Sequence, residues 1–202
     1  MPNPVISALV FSPRYEFDRT IFAGTVEDGV LCSTDGGSTW FSWNFQLVDH
    51  TILSLAISPQ FPQDHRVFAG TSTGLYCSHN GGRAWQEVDL PCGYQPVTSL
   101  AAVSEQIWLV GTESDGLFRL EDGGSLWERR VVSSESSVLG IVLGPEGRIL
   151  ANLGTELLFS VDTGRTWLQH SLIPDGEGEI ISVLRCGDRI LVALSDGRIL
   201  RA

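Results

Sequence analysis

Five short apolar runs recur along the chain, beginning at Val5, Ile52, Val97, Val138 and Ile180. Apolar and polar positions do not alternate cleanly within them, which is the pattern of a strand packed on both faces. A second run follows each: Ile21 to Thr25, Val67 to Thr71, Trp108 to Thr112, Ile149 to Asn152 and Ile190 to Leu194, each leading to a polar turn. A third strand is then predicted, as at Gly29 to Ser33 and Gly74 to Ser78, and a fourth on the outside, as at Gln86 to Asp89. Four strands repeated around a common centre describe the blade of a β-propeller.

The turn out of the third strand has its own spelling, which we call the box. It reads Ser33, Asp35, Gly37, Thr39, Trp40 in the first copy and Ser78, Asn80, Gly82, Ala84, Trp85 in the second. The third copy has Leu120, Asp122, Gly124, Leu126, Trp127, and the fourth Ser160, Asp162, Gly164, Thr166, Trp167. The four tryptophans are 45, 42 and 40 residues apart, a period that belongs to propellers. The Asp is placed to accept turn amides and a hydroxyl, the Gly allows a positive φ, and the Trp can fill a gap between blades. The box therefore reads as a structural staple, with Asp35, Trp40, Asn80, Trp85, Asp122, Trp127, Asp162 and Trp167 in that role. Asn80 keeps an acceptor oxygen, so its box should hold. Leu120 and Leu126 replace hydroxyls and should weaken the third.

The expected architecture is all-β: one domain over 1–202, a five-bladed propeller with blades near 4–47, 48–93, 94–134, 135–174 and 175–202. The fifth unit reaches Ala202 partway through a third strand, without a box. A three-stranded last blade is expected, with an edge that another chain can pair with or that Arg198 and Arg201 guard by charge. The alternative is an open arc that closes through a second copy or a larger partner.

These units resemble Asp-box (bacterial neuraminidase type) repeats, with Asp35, Asp122 and Asp162 at the family Asp and Asn80 departing from it. The spelling Phe22-Ala-Gly-Thr25, then Gly29-Val, then the first box is similar to the photosystem II stability and assembly factor group. Sialidases, sortilin-type receptors and xyloglucanases share the box, which marks a fold and not a reaction. The resemblance implies an assembly or scaffold factor.

Composition narrows the choice of partner. A formal charge of −11 argues against nucleic acid, whose phosphates need a basic stripe. All thirteen basic residues are Arg. No apolar run is long enough to span a membrane, and the start has no secretory pattern, so a cytoplasmic location is expected. Cys32 and Cys77 hold the same third-strand position in successive blades, and Cys92 and Cys186 lie elsewhere. Free thiols are expected, with no metal site and no cofactor.

A retaining sialidase needs an arginine cluster and a Tyr with a Glu partner. Only Tyr15, Tyr76 and Tyr94 are available, and no Ser-His-Asp spelling or phosphate loop is present. The preferred reading is non-enzymatic: a protein-binding module, with a carbohydrate-binding or sialidase-like propeller as the alternative. Binding residues are expected on the blade-to-blade connections and the turns between second and third strands. The acidic turns supply Glu27, Asp28, Glu113 and Asp115. The connections supply Trp43, His50, Tyr94, Arg129 and Arg130. Trp43 lies outside the boxes and inner strands, so it is either an anchor for a partner or a packing residue of the outer strand.

Overall fold

The structure is a computed structural model that describes residues 4–121, 126–129, 137–170 and 178–201. Its sheets form an all-β, five-bladed propeller. Blade one comprises β1 (Ile6–Phe11), β2 (Ile21–Thr25), β3 (Val30–Ser33) and β4 (Phe41–Ser42). Blade two repeats it with β5 (Ile52–Ile57), β6 (Val67–Thr71), β7 (Leu75–Ser78) and β8 (Gln86–Val88). Blade three has β9 (Val97–Ala102), β10 (Ile107–Thr112), β11 (Leu117–Glu121) and β12 (Leu126–Arg129). Blade four has β13 (Gly140–Leu143), β14 (Ile149–Asn152), β15 (Leu157–Ser160) and β16 (Leu168–Gln169). Blade five has three strands, β17 (Ile180–Cys186), β18 (Arg189–Leu194) and β19 (Ile199–Arg201), as its sequence predicts. Strands are in chain order within each sheet and pair antiparallel with their neighbours.

By compactness the chain divides into two units, Met1–Glu105 and Gln106–Ala202. The core of the first is built from Phe22, Val30, Ile52, Leu55, Phe61 and Trp85, among others. Leu150, Leu157, Ile180, Ile190, Val192 and Leu194 form a core cluster in the second. Every residue of β2 and of β6 is buried, because both faces of these strands are covered.

Neighbouring blades are joined by more than apolar packing. Ser7 Oγ donates to the Ile52 carbonyl at 2.5 Å, and Ser54 Oγ to the Val97 carbonyl at 2.8 Å. Asn152 Nδ2 does the same for Ile180 at 3.2 Å. Each time the acceptor is the first residue of the next inner strand. Gly70 makes the approach close: a Cβ there would lie 2.5 Å from the Val97 carbonyl oxygen.

The segments 12–18 and 58–64 each contain one helical turn, α1 (Tyr15–Asp18) and α2 (Phe61–Asp64). Asp18 and Asp64 close these turns, each accepting a serine hydroxyl at 2.5 Å and a backbone amide at 2.9 Å. Blade three departs from its predecessors in β11. Arg119 stands where β3 has Cys32 and β7 has Cys77, and is fully buried. Its Nε donates to the Thr163 carbonyl in the fourth box at 3.0 Å, and its guanidinium pairs with Glu121 and Glu128.

Candidate functional site

The box carboxylates are occupied by their own turns. Asp35 Oδ1 accepts the Ser33 hydroxyl at 2.8 Å and the Thr39 amide at 2.9 Å, while Oδ2 accepts the Thr39 hydroxyl at 2.6 Å. Asp162 repeats this with Ser160, the Thr166 amide and the Thr166 hydroxyl. Led by the Thr39 hydroxyl, these donors hold the Asp35 carboxyl down at about 2; the Thr166 amide and hydroxyl lower Asp162 further. A carboxylate so engaged is a poor general acid or base. Asn80 accepts from the Ser78 hydroxyl and the Ala84 amide through its single oxygen. An amide suffices there because residue 84 has no hydroxyl to donate to a second oxygen. Asp122, Arg130 and the expected weakness of the third box fall outside the described residues, although Trp127 is described and packs edge-on against Phe118 with ring centroids 6.2 Å apart.

The second box also reaches blade one. The Trp85 amide donates to the Phe45 carbonyl at 3.0 Å and its indole Nε1 to the Trp43 carbonyl at 2.8 Å. Beside this latch lies a cleft of about 490 Å³. Phe22 and Phe61 meet edge-on on its apolar side, with centroids 5.7 Å apart. Half-buried Trp43 forms another wall, and the exposed Arg83 guanidinium lies 5.1 Å from the Trp43 ring centroid. Asp18, Thr20, Thr34, His65, His79 and Asn80 complete the polar lining. Burial, followed by the charge of Arg66, lowers the His79 pKa, which favours the neutral ring. Arg83 is therefore the permanent cation of this cleft.

His79 Nε2 lies 3.5 Å from Cys77 Sγ, but the pair does not make a nucleophile. Burial pushes the Cys77 thiol up to about 12, far from the thiolate that attack requires. Cys32 is held at about 12 by the same cause. None of Cys32, Cys77, Cys92 and Cys186 is in a disulfide. Among the described residues no group of three or more His, Cys, Asp and Glu is arranged to hold a metal ion.

Of the residues singled out by sequence, only Trp43 and Asn80 line this cleft. His50 is exposed, with its Nε2 3.1 Å from the Leu47 carbonyl, and its own carbonyl accepts the Gly29 amide beside Glu27 and Asp28. Tyr94 is 81% exposed and borders a small depression of about 100 Å³ with Glu87 and Asp89. Arg129 and Asp115 come together: Arg129 Nε donates to the Asp115 carbonyl at 3.0 Å and Nη2 lies 3.4 Å from its carboxylate. Glu113 is exposed on the same turn. Sequence reading missed Arg83, His65 and His79. The signal available was the aromatic at Phe61 following a repeat of the Ser12 segment at Ser58, which places residues 58–65 over the preceding blade.

Blades four and five form a smaller counterpart of about 290 Å³. Leu150 takes the register position of Phe22, and His170 that of Trp43, donating its amide to Leu157 as Trp43 donates to Val30. This cleft is lined by Arg148 and Asp188 but lacks a tryptophan.

No known protein family and no curated protein matches the sequence. Solved structures do. YCF48 bound to a D1 peptide superposes with a TM-score of 0.73 at 17% identity, over 100% of this chain and 66% of that one. YCF48 from Cyanidioschyzon merolae gives 0.70 at 18% identity, over 98% and 67%. The GH74 xyloglucanase of Xanthomonas campestris gives 0.74 at 19%, over 99% of this chain and 35% of that one. The chain thus spans about two thirds of the YCF48 structures and about one third of the xyloglucanase. At these identities the likeness establishes the propeller fold. Among the described residues no helix is long and apolar enough to cross a membrane.

Proposed function

We propose that the chain is a non-enzymatic Asp-box module that binds another protein, holding an extended segment of it in the cleft between blades one and two. The observation that carries this reading is Arg83 stacked on Trp43 at an apolar cleft. In an acidic chain, that pair offers a cation and an aromatic face together, which suits a partner segment with a carboxylate beside an apolar side chain. The one carboxylate lining the cleft, Asp18, already accepts Ser12 and Thr20, and glycoside hydrolysis asks for two carboxyl groups facing a scissile bond. The D1 peptide bound by YCF48 supports a peptide ligand on a propeller of this fold. An assembly or scaffold role follows from the sequence resemblance.

Fluorescence anisotropy with a set of labelled peptides that pair Asp or Glu with an aromatic or aliphatic residue tests the reading. A bound peptide should be found, and Arg83→Ala should weaken it about tenfold while melting stays unchanged. Binding or cleavage of β-glucan oligosaccharides with no peptide bound would replace this reading with the carbohydrate one.

A further inference from the structure

The junction of blades one and two and the junction of blades three and four carry the same box turn with different charges around it. Arg83 and Arg165 hold the same box position, three residues after Asn80 and Asp162. Arg165 Nη2 lies 3.6 Å from Glu121 Oε1, at the end of β11 on the preceding blade, and Glu121 also pairs with buried Arg119. Register places Leu120 at the position of Ser33, because they pair with Trp108 and Ile21, so Glu121 corresponds to Thr34. Thr34 is exposed, neutral and part of the cleft lining. Arg83 thus faces a hydroxyl residue where Arg165 faces a carboxylate, and among the described residues it enters no salt bridge. Its contact is the face of Trp43.

Asn80 changes the charge of the same wall. In the fourth box Asp162 Oδ1 accepts the Ser160 hydroxyl and the Thr166 amide, and Oδ2 accepts the Thr166 hydroxyl. In the second box Asn80 Oδ1 accepts the Ser78 hydroxyl and the Ala84 amide, which fixes the other branch as the Nδ2 amino group. Nδ2 donates to no described residue, and its side chain lines the cleft with Arg83. The second box therefore presents two donors where an Asp would present a negative charge. The one carboxylate in the lining, Asp18, is taken up by Ser12 and Thr20.

We propose that Asn80 is a specificity-determining residue of the cleft: with Arg83 it holds the side-chain carboxylate of a partner's Asp or Glu, which stands towards Arg83 as Glu121 stands towards Arg165. This rests on the peptide-binding reading of the cleft and explains why the second box departs from Asp. An aspartate at 80 would set a like charge against the incoming acid. The box tolerates the exchange because Ala84 has no hydroxyl to donate to a second oxygen. Phe22 and Phe61, on the apolar side, receive the neighbour of the acid.

The test uses labelled acid-apolar peptides blocked at both ends, so that the side-chain carboxylate is the only one in the peptide, and a matched set with Gln or Asn in place of the acid. The wild-type protein should bind an acidic peptide about tenfold more tightly than its amide counterpart. Asn80→Asp with Ala84→Thr rebuilds the complete box and should cancel that preference while melting at or above the wild-type temperature. Thr34→Glu places a carboxylate where blade three has Glu121, and should bind the acidic peptide about tenfold more weakly than Thr34→Gln does. It carries the test by itself should the double variant fail to fold, since Thr34 is exposed. An undiminished preference for the acid in either variant, or equal binding of acid and amide by the wild-type protein, overturns the role of Asn80 and leaves peptide binding standing. Binding of no peptide at all overturns both.

Discussion

The first and second boxes differ little in sequence and greatly in setting. Trp85 is 0% exposed, because its ring and indole nitrogen lock onto blade one through the Trp43 carbonyl. Trp40 is 39% exposed, and its indole turns back to the Gly37 carbonyl of its own turn at 3.0 Å. Trp167 makes the same local bond, to Gly164 at 3.1 Å. The motif therefore closes its turn unaided and becomes a staple only where a preceding blade receives its ring. A second contrast lies inside the turn: Asp occurs with Thr at the fourth following position in boxes one and four, and Asn with Ala in box two.

The largest effect should separate the two tryptophans. Trp85→Ala should cost about 3–5 kcal/mol in urea unfolding, as for other buried aromatics, and Trp40→Ala about 1 kcal/mol or less. Equal losses would mean that Trp85 is not the latch. Next, Gly70→Ala should destabilise by about 1–3 kcal/mol through overpacking, because its Cβ meets backbone, whereas Gly74→Ala meets nothing within 4 Å and should be near neutral. The smallest effect depends on pH. Asp35 has a folded pKa of about 2 against an unfolded value near ~4, so its contribution is present above the unfolded value and is lost as pH falls towards the folded one. Asp35→Asn should lower the melting temperature at neutral pH and not at the acid end of that window. Asn80→Asp should gain stability only together with Ala84→Thr, which restores the hydroxyl donor; a gain from Asn80→Asp alone would break the pairing rule.

Much of the architecture can be read in the chain because each blade repeats the same local instructions. Apolar runs at Val67 to Thr71, a positive-φ glycine pair at Gly81 and Gly82, and a tryptophan at a fixed offset act within a few residues, and the strands appear where they predict. Burial between blades is different. Leu55 is buried because the sheet of blade one covers it, near Gly24, and no local pattern around Leu55 announces that neighbour. The cleft is hidden for a related reason: Phe22, Trp43, Phe61 and Arg83 are far apart in the chain and share a wall only after two blades dock. Arg129 and Asp115, read separately as a basic and an acidic contact, largely answer each other.

The guanidinium of Arg119 has a bearing on how the second unit folds. Its Nε donates to a backbone acceptor, the Thr163 carbonyl, 44 residues later in the chain. Until that segment arrives, Arg119 has its blade-three carboxylates Glu121 and Glu128 but lacks the Thr163 acceptor, and burying a guanidinium with part of its partner set missing is costly. Blade three is thus held back from completing its own packing until blade four has been made. The two should mature as one cooperative step, and a nascent chain halted between them should be a better client for chaperones than one halted after blade two.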